Sequence, residues 1–470
     1  MRVSLRYEGP STCGRPVSYV IGEGHGAAVR NTATNCWNVN MNTGNVNNNN
    51  TYNRYFVVGA SDSVPNAGEW FVAERSFFKN KHRSVGAQRI HVHPGRVMRV
   101  ARGVQSGAWS PRPGYCFPIL EPAPRQIFAA FCEDRLVHHY VAPFLTSIAE
   151  AVHVANGNVS HGNRINFSAH TGAIQIRDAI TALMTQYPDA YILKIDFKSF
   201  FNSIPRARAF ELVSRYAREY YAGQDREEKL AICRKLIMHD PVDGCVRLAK
   251  KEMERIPPAK RMENAPEGCG FPIGNFYSQL VANLYLAELD RRLMKYGVCP
   301  RFVDDKCCVV KDVETAKACL AEARQAAEEL GIRIHPDKIY IQPAHRGVNF
   351  CGRTIKGGRI YLSNRTIQSA RRKVKEAAAT EEAAVDLCNT VNSYLGMFRH
   401  CTEWQNEKRL ADLVLKRHSQ WLYFVLKGGH FVCRVKKAYI PRVKRENDMT
   451  NLIEQAYVFS KTYQRRHRSR

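Results

Sequence analysis

Two adjacent carboxylates, Asp304 and Asp305, lie inside an apolar stretch of the chain. Phe302 and Val303 precede them, and the run Cys307–Val310 follows. Apolar runs on both sides of a short acidic pair predict a β-hairpin with its turn at that pair. Burying such a hairpin with two negative charges at its tip costs free energy unless a positive partner meets them, and a divalent metal ion carrying a phosphate is one such partner. The alternative is an acidic turn in a solvated hairpin, because Asp is common in turns.

A third carboxylate, Asp196, follows the apolar stretch Tyr191–Ile195, which predicts a strand. An Asp at the end of a strand can also be the N-cap of the next helix. Together with Asp304 and Asp305, however, it supplies the oxygen ligands that two-metal nucleotidyl transfer needs. In such a site two Mg²⁺ ions, about 3.5–4 Å apart, activate the attacking hydroxyl and stabilise the leaving pyrophosphate. We therefore expect the three carboxylates to converge on two Mg²⁺ ions, which Mn²⁺ can replace.

The bulk composition points to a nucleic-acid partner. The chain has 470 residues and 44% hydrophobic residues, as expected for a globular protein of two to four domains. Neither a secretory signal nor an apolar run of membrane-spanning length is apparent, so no membrane association is expected. The net charge of +27 predicts a polyanionic partner, and its spread along the chain favours nucleic acid over a membrane surface.

The cysteine and histidine patterns do not predict a metal site. The 15 cysteines include no Cys-x-x-Cys pair, so a zinc ribbon is not expected. Reduced, buried thiols in a cytoplasmic protein are the simplest account. The pairs His91 with His93 and His138 with His139 lack a neighbouring Cys or carboxylate cluster, so ordinary polar contacts are favoured.

The first 110 residues differ from the rest. The tract Asn31–Asn53 is rich in asparagine, which suits turns and disfavours helix and strand interiors, so loops or a disordered extension are expected there. A short strand is predicted at Tyr55–Val58 and a basic strand at Val97–Val104. The prolines from Pro111 to Pro118 mark a junction.

Helical periodicity dominates the remainder of the chain. The helices are predicted at 125–139, 172–186, 211–221, 225–260, 280–293 and 313–330, and throughout 366–424. The Gly-rich stretch Gly268–Gln279 precedes the fifth of them, and its glycines permit a close backbone approach to a base pair.

Six motifs along the chain resemble the successive motifs of the reverse transcriptases, in the order of that family. They are RQIFAAFCEDRLVHH, ILKIDFKSFFNSI, GFPIGNFYSQLVANLYLAELD, RFVDD, HPDK and VNFCG, and they cover roughly residues 115–425. The resemblance implies an α+β, right-hand polymerase with fingers, a palm of antiparallel sheet plus helices, and a helical thumb. The implied domains are an irregular N-terminal extension (1–110), fingers and palm (111–365), thumb (366–430) and a basic C-terminal tail (431–470).

The resemblance also implies site residues. Asp196 and Asp304 would ligate both metal ions, with Asp305 assisting on the primer side. Lys338 would lie near the leaving pyrophosphate as a proton donor, although a plain surface lysine is an equal alternative. The residues implied to bind the nucleotide are Arg125, Arg164, Phe197, Phe201, Ile273, Gly274, Asn275, Ser278 and Gln279. Those implied to bind the template–primer backbone are Arg371, Arg372, Lys373 and Lys375.

Two of these residues carry specific expectations. Phe201 occupies the place of the aromatic that excludes a ribose 2′-OH in this family, and the alternative is a core aromatic. Ile273 stands where most reverse transcriptases have Gln, and an Ile cannot hydrogen-bond near the nascent base pair.

The sequence IGNFYSQ resembles the Ile-Gly-Asn-x-x-Ser-Gln signature of reverse transcriptases from diversity-generating retroelements. That resemblance implies error-prone copying at template adenines, a bacterial or phage origin and a cytoplasmic location. The implied partners are template RNA, a cDNA or primer strand, deoxynucleotides and a small, helical, basic accessory protein. The Asn-rich tract resembles the variable end of the lectin-like targets of these elements, which makes it a candidate template-repeat-like segment.

Other interpretations stay open at this point. The chain could be another bacterial reverse transcriptase, of the group II intron or phage-defence type. An RNA-dependent RNA polymerase is disfavoured by Phe201 and by the Phe-Val-Asp-Asp form of the acidic motif. A nucleic-acid-binding scaffold with a decayed active site is a different class, and the three carboxylates count against it.

Overall fold

The computed structural model describes residues 66–79, 81, 84–120 and 123–436, all within one compact unit, Asp62–Arg470. The Asn-rich tract, the strand predicted at 55–58 and the tail from residue 437 lie outside the described residues. Among the described helices, none has an apolar stretch long enough to cross a bilayer.

Helices make up most of the described chain. They are α1 (Ala67–Phe78), α2 (Val85–Val92), α3 (Pro94–Gln105), α4 (Cys132–Ala155), α5 (Ala169–Gln186), α6 (Phe200–Ser203), α7 (Arg206–Tyr220), α8 (Arg226–Met238), α9 (Lys250–Met253), α10 (Phe276–Tyr285), α11 (Ala287–Leu293), α12 (Val313–Glu329), α13 (Asn364–Glu376), α14 (Glu381–Phe398) and α15 (Trp404–His418).

The strands of the described residues are short and form four small sheets. They are β1 (Tyr115–Ile119), β2 (Arg125–Ala129), β3 (Tyr191–Ile195), β4 (Val246–Arg247), β5 (Arg301–Phe302), β6 (Asp305–Val310), β7 (Tyr340–Pro343), β8 (Val348–Phe350), β9 (Arg353–Lys356), β10 (Arg359–Leu362), β11 (Leu422–Lys427) and β12 (His430–Val435). The α+β class predicted from the sequence is confirmed.

The central sheet is antiparallel, in the order β5–β6–β3–β7. Alternate residues of β3 and β6 face opposite sides, as the two-residue period of a strand requires. Leu193 and Cys308 belong to the main core, which includes α12, whereas Ile192 and Val309 belong to a second core shared with α5 and β8–β10. Helices or strands therefore cover both faces of the sheet.

Local signals fix the helices that flank this sheet. Ser168 caps α5 by accepting a hydrogen bond from the Thr171 amide, in a reciprocal capping box. Asp312 caps α12 in the same way by accepting from the Thr315 amide. Both helices begin within three residues of their predicted positions, because the N-cap residue and the apolar period are local to the sequence.

Residues 364–435 form a separate packing unit. Helices α13, α14 and α15 and the hairpin β11–β12 share an apolar core around Val391, Leu395 and Val414. The segment predicted as entirely helical to residue 424 becomes strand at Leu422, and residues 431–435, predicted as part of the basic tail, form β12. The boundaries of the predicted domains otherwise stay a prediction.

Three predicted elements are wrong. The basic strand predicted at Val97–Val104 is part of α3, because Val97, Ala101 and Val104 share one buried helix face. The helix predicted at 125–139 is strand β2 up to Ala129, since that stretch pairs with β1, and helix only from Cys132. Part of the segment assigned to the irregular extension is therefore helical, and α1–α3 join the main core beside α4.

Two other predicted helices have different limits in the structure. The helix predicted at 225–260 ends at Met238, before Pro241 and the left-handed Gly244 (φ 61°), after which only short elements follow. The helix predicted at 280–293 begins earlier, at Phe276, and is divided at Leu286 into α10 and α11.

Candidate active site

The three predicted carboxylates lie at one end of the central sheet. Asp196 directly follows β3, and the β5–β6 hairpin carries Asp304 in its turn and Asp305 as the first residue of β6. Ile195 of β3 is opposite Lys306 of β6, so the next register position brings Asp196 beside Asp305. Residues more than a hundred positions apart in sequence thus share one sheet end.

The turn that carries Asp304 is strained and is held by its surroundings. Val303 has φ 57°, a left-handed conformation that a β-branched residue rarely adopts. The Arg301 guanidinium donates a hydrogen bond to the Val303 carbonyl at 2.9 Å. Gly162 lies against the same residue, and a Cβ there would meet Val303 Cγ2 at 2.8 Å and its amide nitrogen at 2.9 Å. The turn is therefore fixed by an arginine on one side and by a close backbone approach on the other.

The environment of Asp304 disfavours its charge. Burial is the main cause that raises the pKa of Asp304, and the negative charge of Asp196 adds to it. The positive charges of Arg125 and Lys338 act in the opposite direction, so both cations lie near this carboxylate. Lys338 also donates to Asp196 Oδ2 at 2.8 Å. Two like charges at a half-buried position form an arrangement that an added cation would stabilise.

Asp305 has protein partners of its own. One carboxylate oxygen forms an ion pair with Lys194, and the other accepts a hydrogen bond from the Cys351 amide at 3.1 Å. Lys194 lies on β3 opposite Cys307, which is two residues along from Asp305 and hence on the same sheet face. Burial lowers the pKa of Lys194, against the opposing pull of nearby Cys307, Cys351, Asp196 and Asp304. Asp305 is thus less available to a metal ion than Asp196 or Asp304.

The donor set fits a hard divalent cation. Mg²⁺ prefers carboxylate oxygens, usually from one or two side chains, and completes its shell with water and substrate phosphate. Asp196 and Asp304 supply such oxygens at a solvent-accessible sheet end, since both side chains are only partly buried. Burial first and the negative charge of Asp196 second raise the pKa of Asp304, and a bound cation would offset both effects.

The Gly-rich stretch lies against β2. The Phe128 amide donates to the Ile273 carbonyl at 2.8 Å, and Gly274 has φ 117°. A Cβ on Gly274 would come within 2.8 Å of both the Phe128 carbonyl oxygen and Ile127 Cγ2. Only glycine fits there, so Gly274 lets the segment before α10 pack closely against β2, the strand that begins with Arg125.

Several residues predicted to bind the nucleotide have side chains that lie in the protein interior. Phe197 and Ser278 are buried, and the buried Asn275 accepts a hydrogen bond from the Ala130 amide, so these three side chains lie inside the protein and their contact with a nucleotide stays a prediction. Their residue types matched a motif, whereas the structure places their side chains in the interior. By contrast, Arg125 and Gly274 are exposed, and Phe201, Ile273 and Gln279 are partly exposed.

The Arg164 side chain is engaged by other groups of the protein. Its guanidinium donates to both carboxylate oxygens of Glu150, to Asn158 and to the Ser160 carbonyl. It also stacks on Phe167, with 3.9 Å between the guanidinium carbon and the ring centroid. With its donors used inside the protein and 8% of its surface exposed, it is not placed to bind a triphosphate.

The four basic residues predicted to bind nucleic acid all lie on α13, but not on one face. Arg372 and Lys375 are exposed, with Arg372 paired to Glu376 one turn away. Arg371 and Lys373 are half-buried, and Arg371 donates to Asn406 of α15. The buried face of this helix is apolar, so only part of the basic cluster is open to a partner.

A buried charge cluster beside the turn was missed from the sequence. Asp290 of α11 forms ion pairs with Arg301 and Lys306 on the hairpin, and all three side chains are fully buried. Burial raises the pKa of Asp290, but the two cations outweigh that effect and hold it well below its usual range. A signal was present, because two cations inside an otherwise apolar hairpin need a buried partner. The identity of that partner, Asp290, has no signature in the sequence.

Comparison with known proteins identifies the matched segment. Residues 124–355 match the family model of the reverse transcriptases (RNA-dependent DNA polymerases). That segment is a reverse transcriptase domain, the domain of RNA-directed DNA polymerases, which are nucleotidyltransferases. No curated protein sequence matches the chain.

Solved structures of telomerases are similar at low identity. Telomerase from Candida albicans in complex with a TWJ fragment of telomeric RNA is 12% identical, with a TM-score of 0.41, covering 67% of this chain and 61% of that one. Apo telomerase from Candida tropicalis is 13% identical, with a TM-score of 0.42, covering 65% and 56%. The chain therefore spans about three fifths of the length of these structures.

Proposed function

We propose that this chain, which carries a reverse transcriptase domain at residues 124–355, copies RNA templates into DNA. The observation that carries the proposal is the meeting of Asp196 and Asp304 at one end of the central sheet, with Arg125 and Lys338 beside them. Two carboxylates with two nearby cations suit a substrate that brings both metal ions and a triphosphate.

Asp196 and Asp304 are the residues that would hold two Mg²⁺ ions, or Mn²⁺ in their place. When bound, these ions activate the primer 3′-hydroxyl and neutralise the leaving pyrophosphate. Asp305 assists from the primer side, and its ion pair with Lys194 makes it the weakest ligand of the three. The strained turn at Val303 keeps Asp304 in one position without further reorganisation.

The exposed cations act on the nucleotide. Arg125 can bind triphosphate oxygens through its guanidinium. Lys338 holds Asp196 at 2.8 Å in the absence of substrate and can donate a proton to the leaving pyrophosphate when one is bound. Phe201 packs at the edge of the main core next to Phe200, from where its ring can exclude a ribose 2′-OH.

The test is primer extension on an RNA template with deoxynucleotides, with and without Mg²⁺. Asp304→Ala should abolish extension, whereas Asp337→Ala, which removes an exposed carboxylate beside Lys338, should leave it nearly unchanged. Equal extension by the wild type and Asp304→Ala would contradict the proposal. No extension by the wild type under any condition, with retained RNA binding, would favour the inactive scaffold instead.

We further propose that the copying is error-prone at template adenines, as in the diversity-generating retroelements. The support is the Ile-Gly-Asn-x-x-Ser-Gln signature and the side chain of Ile273, which carries no hydrogen-bonding group beside the Gly274 turn. Losing one such contact weakens discrimination by about 1–3 kcal/mol at most.

Sequencing the products of Ile273→Gln on an adenine-containing template tests this subtype. Misincorporation opposite adenine should fall, while extension continues. An unchanged error spectrum would favour the other bacterial types, those of group II introns or phage defence. Template RNA, a primer or cDNA strand, deoxynucleotides and a small basic accessory protein are the proposed partners, and a bacterial or phage-encoded cytoplasmic enzyme is the proposed setting.

A further inference from the structure

Three cysteines meet in the main core, on the face of the β5–β6 hairpin opposite to the face that carries the Asp305 side chain. Cys299 precedes β5, Cys308 lies on β6 and Cys319 lies on α12. Their sulfur atoms all lie within 4.8 Å of one another, and none of the three side chains has any exposed surface. A set of three thiols from three separate elements, facing one point, is the geometry of a ligand set.

The charge around this point is unbalanced. The neighbouring cluster of Asp290, Arg301 and Lys306 is fully buried and carries two positive charges against one negative charge. The Lys306 ammonium also donates to the Cys299 carbonyl at 2.9 Å, which places the surplus positive charge beside the thiols. An isolated buried charge is costly, so a site with a net charge of −1 would complete the core.

We propose that Cys299, Cys308 and Cys319 bind one divalent, thiophilic d¹⁰ metal ion, of which Zn²⁺ is the common biological example. Three thiolates around such an ion carry a net charge of −1, which balances the surplus charge of the neighbouring cluster. Binding converts one M²⁺ ion and three thiols into one tris-thiolate complex and three protons. If one thiol is already ionised, binding releases two protons.

The geometry requires only a small adjustment. Two sulfur atoms that share one zinc ion at about 2.3 Å lie about 3.8 Å apart in a tetrahedral site. Each cysteine has a single side-chain torsion, and small rotations of three such side chains bring the sulfurs together. The Cys299 thiol also donates to the Leu293 carbonyl oxygen at 3.6 Å.

Such an ion would connect α12 to the central sheet. Cys308 is in the strand that begins with Asp305, and Cys319 is in the middle of α12. Because the site closes two loops of the chain at once, its loss should lower stability without changing the chemistry of the carboxylates. The proposal does not depend on the proposed polymerase activity.

The experiment is titration of Cd²⁺ into the reduced, metal-free full chain under anaerobic conditions. The sulfur-to-cadmium absorption in the ultraviolet reports thiolate binding, and the retained metal is counted by mass spectrometry after dialysis. We expect Cys308→Ala and Cys319→Ala each to lose one tightly held ion, with an affinity at least about 100-fold weaker. The matched control is Cys307→Ala, which removes the adjacent, equally buried thiol on the other sheet face and should keep the ion.

Other cysteines define the background. Cys116 lies against Cys245, and Cys388 lies against Cys433, so both pairs can take up Cd²⁺ more weakly. Cys116→Ala and Cys388→Ala should therefore leave the tight ion in place. Circular dichroism confirms folding, and Cys319→Ala provides a folded test if Cys308→Ala does not fold.

Two results would overturn the proposal. One is a folded wild type that shows no tight cadmium–thiolate absorption. The other is a tight ion that survives both Cys299→Ala and Cys319→Ala. A disulfide between two of the three thiols in the freshly isolated, unreduced chain, detected by mass, would also count against a metal site.

Discussion

Two groups of charged residues meet at the β5–β6 hairpin and differ in burial and in charge balance. At the open end of the sheet, Asp196 and Asp304 repel one another, and the pKa of Asp304 is raised. Behind the turn, Asp290 lies between Arg301 and Lys306, and its pKa is lowered although burial opposes that shift. The first group sets its carboxylates against two nearby cations, Arg125 and Lys338, at an open sheet end, whereas the buried second group has one more positive than negative charge.

The difference separates structural from functional charge. A buried carboxylate with two cationic partners is satisfied by the protein and has nothing left for a ligand. A partly buried carboxylate such as Asp304, whose charge is disfavoured by burial and by a second carboxylate, is left partly unsatisfied, and a ligand that brings positive charge would complete the site. Arg301 links the two groups, because it pairs with Asp290 and also holds the Val303 carbonyl of the catalytic turn.

The largest expected effect is on activity at the unsatisfied group. Asp196→Asn should lower the rate of primer extension at least about a thousandfold, because a metal ligand worth several kcal/mol of transition-state stabilisation is lost. Single-turnover extension at saturating deoxynucleotide measures the effect. A loss below tenfold in a folded variant would mean that Asp196 is not a ligand.

The next effect is on stability at the satisfied group. Asp290→Asn leaves Arg301 and Lys306 buried without their counterion and should lower the free energy of unfolding by about 3–5 kcal/mol. Denaturant unfolding followed by circular dichroism measures it. The control is Glu288→Gln on the same helix, which loses surface pairs with Arg215 and Arg291 and should cost less than about 1 kcal/mol.

Arg301, which contacts both groups, should give an intermediate effect on the rate of primer extension. Arg301→Lys keeps a positive charge near Asp290 but cannot donate to both Asp290 and the Val303 carbonyl as the guanidinium does. The maximal rate should fall about tenfold or more, with little change in the KM for deoxynucleotide, because the turn loses its position rather than its binding groups. A parallel rise of KM with no change in maximal rate would assign Arg301 to binding instead.

The smallest effect is a stability gain at the functional group. The pKa of the Asp304 carboxyl is higher in the folded protein than in the unfolded chain, where it is about 3.9. The free energy of unfolding therefore falls as pH rises from the unfolded pKa to the folded pKa, because the charged carboxylate is less stable in the folded protein. Asp304→Asn should therefore raise the melting temperature near pH 7, and the gain should shrink as pH approaches about 4. Melting curves at both pH values check this, and a gain that grows at low pH would contradict it.

The sequence alone located the acidic turn, the strand before Asp196 and the helices α5 and α12. These features are local, since each depends on an apolar period, a capping residue or a turn within a few positions. The errors at 97–104 and 125–139 occurred where long-range packing decided the element. The second stretch became a strand because β1 supplied a pairing partner, which no local pattern contains.

The sequence by itself determined which residue types are present. It contains three carboxylates at the ends of predicted strands, a glycine-rich stretch that permits a close backbone approach, and a strongly basic composition. Only the tertiary structure decided which of those groups are satisfied by the protein. It turned Arg164 towards Glu150, paired Asp305 with Lys194, set Asp290 between two cations and brought three thiols from separate elements to one point. The physical reason is that satisfaction of a charge depends on neighbours in space, and those neighbours come from other elements of the fold, as Lys194 of β3 and Asp305 of β6 do.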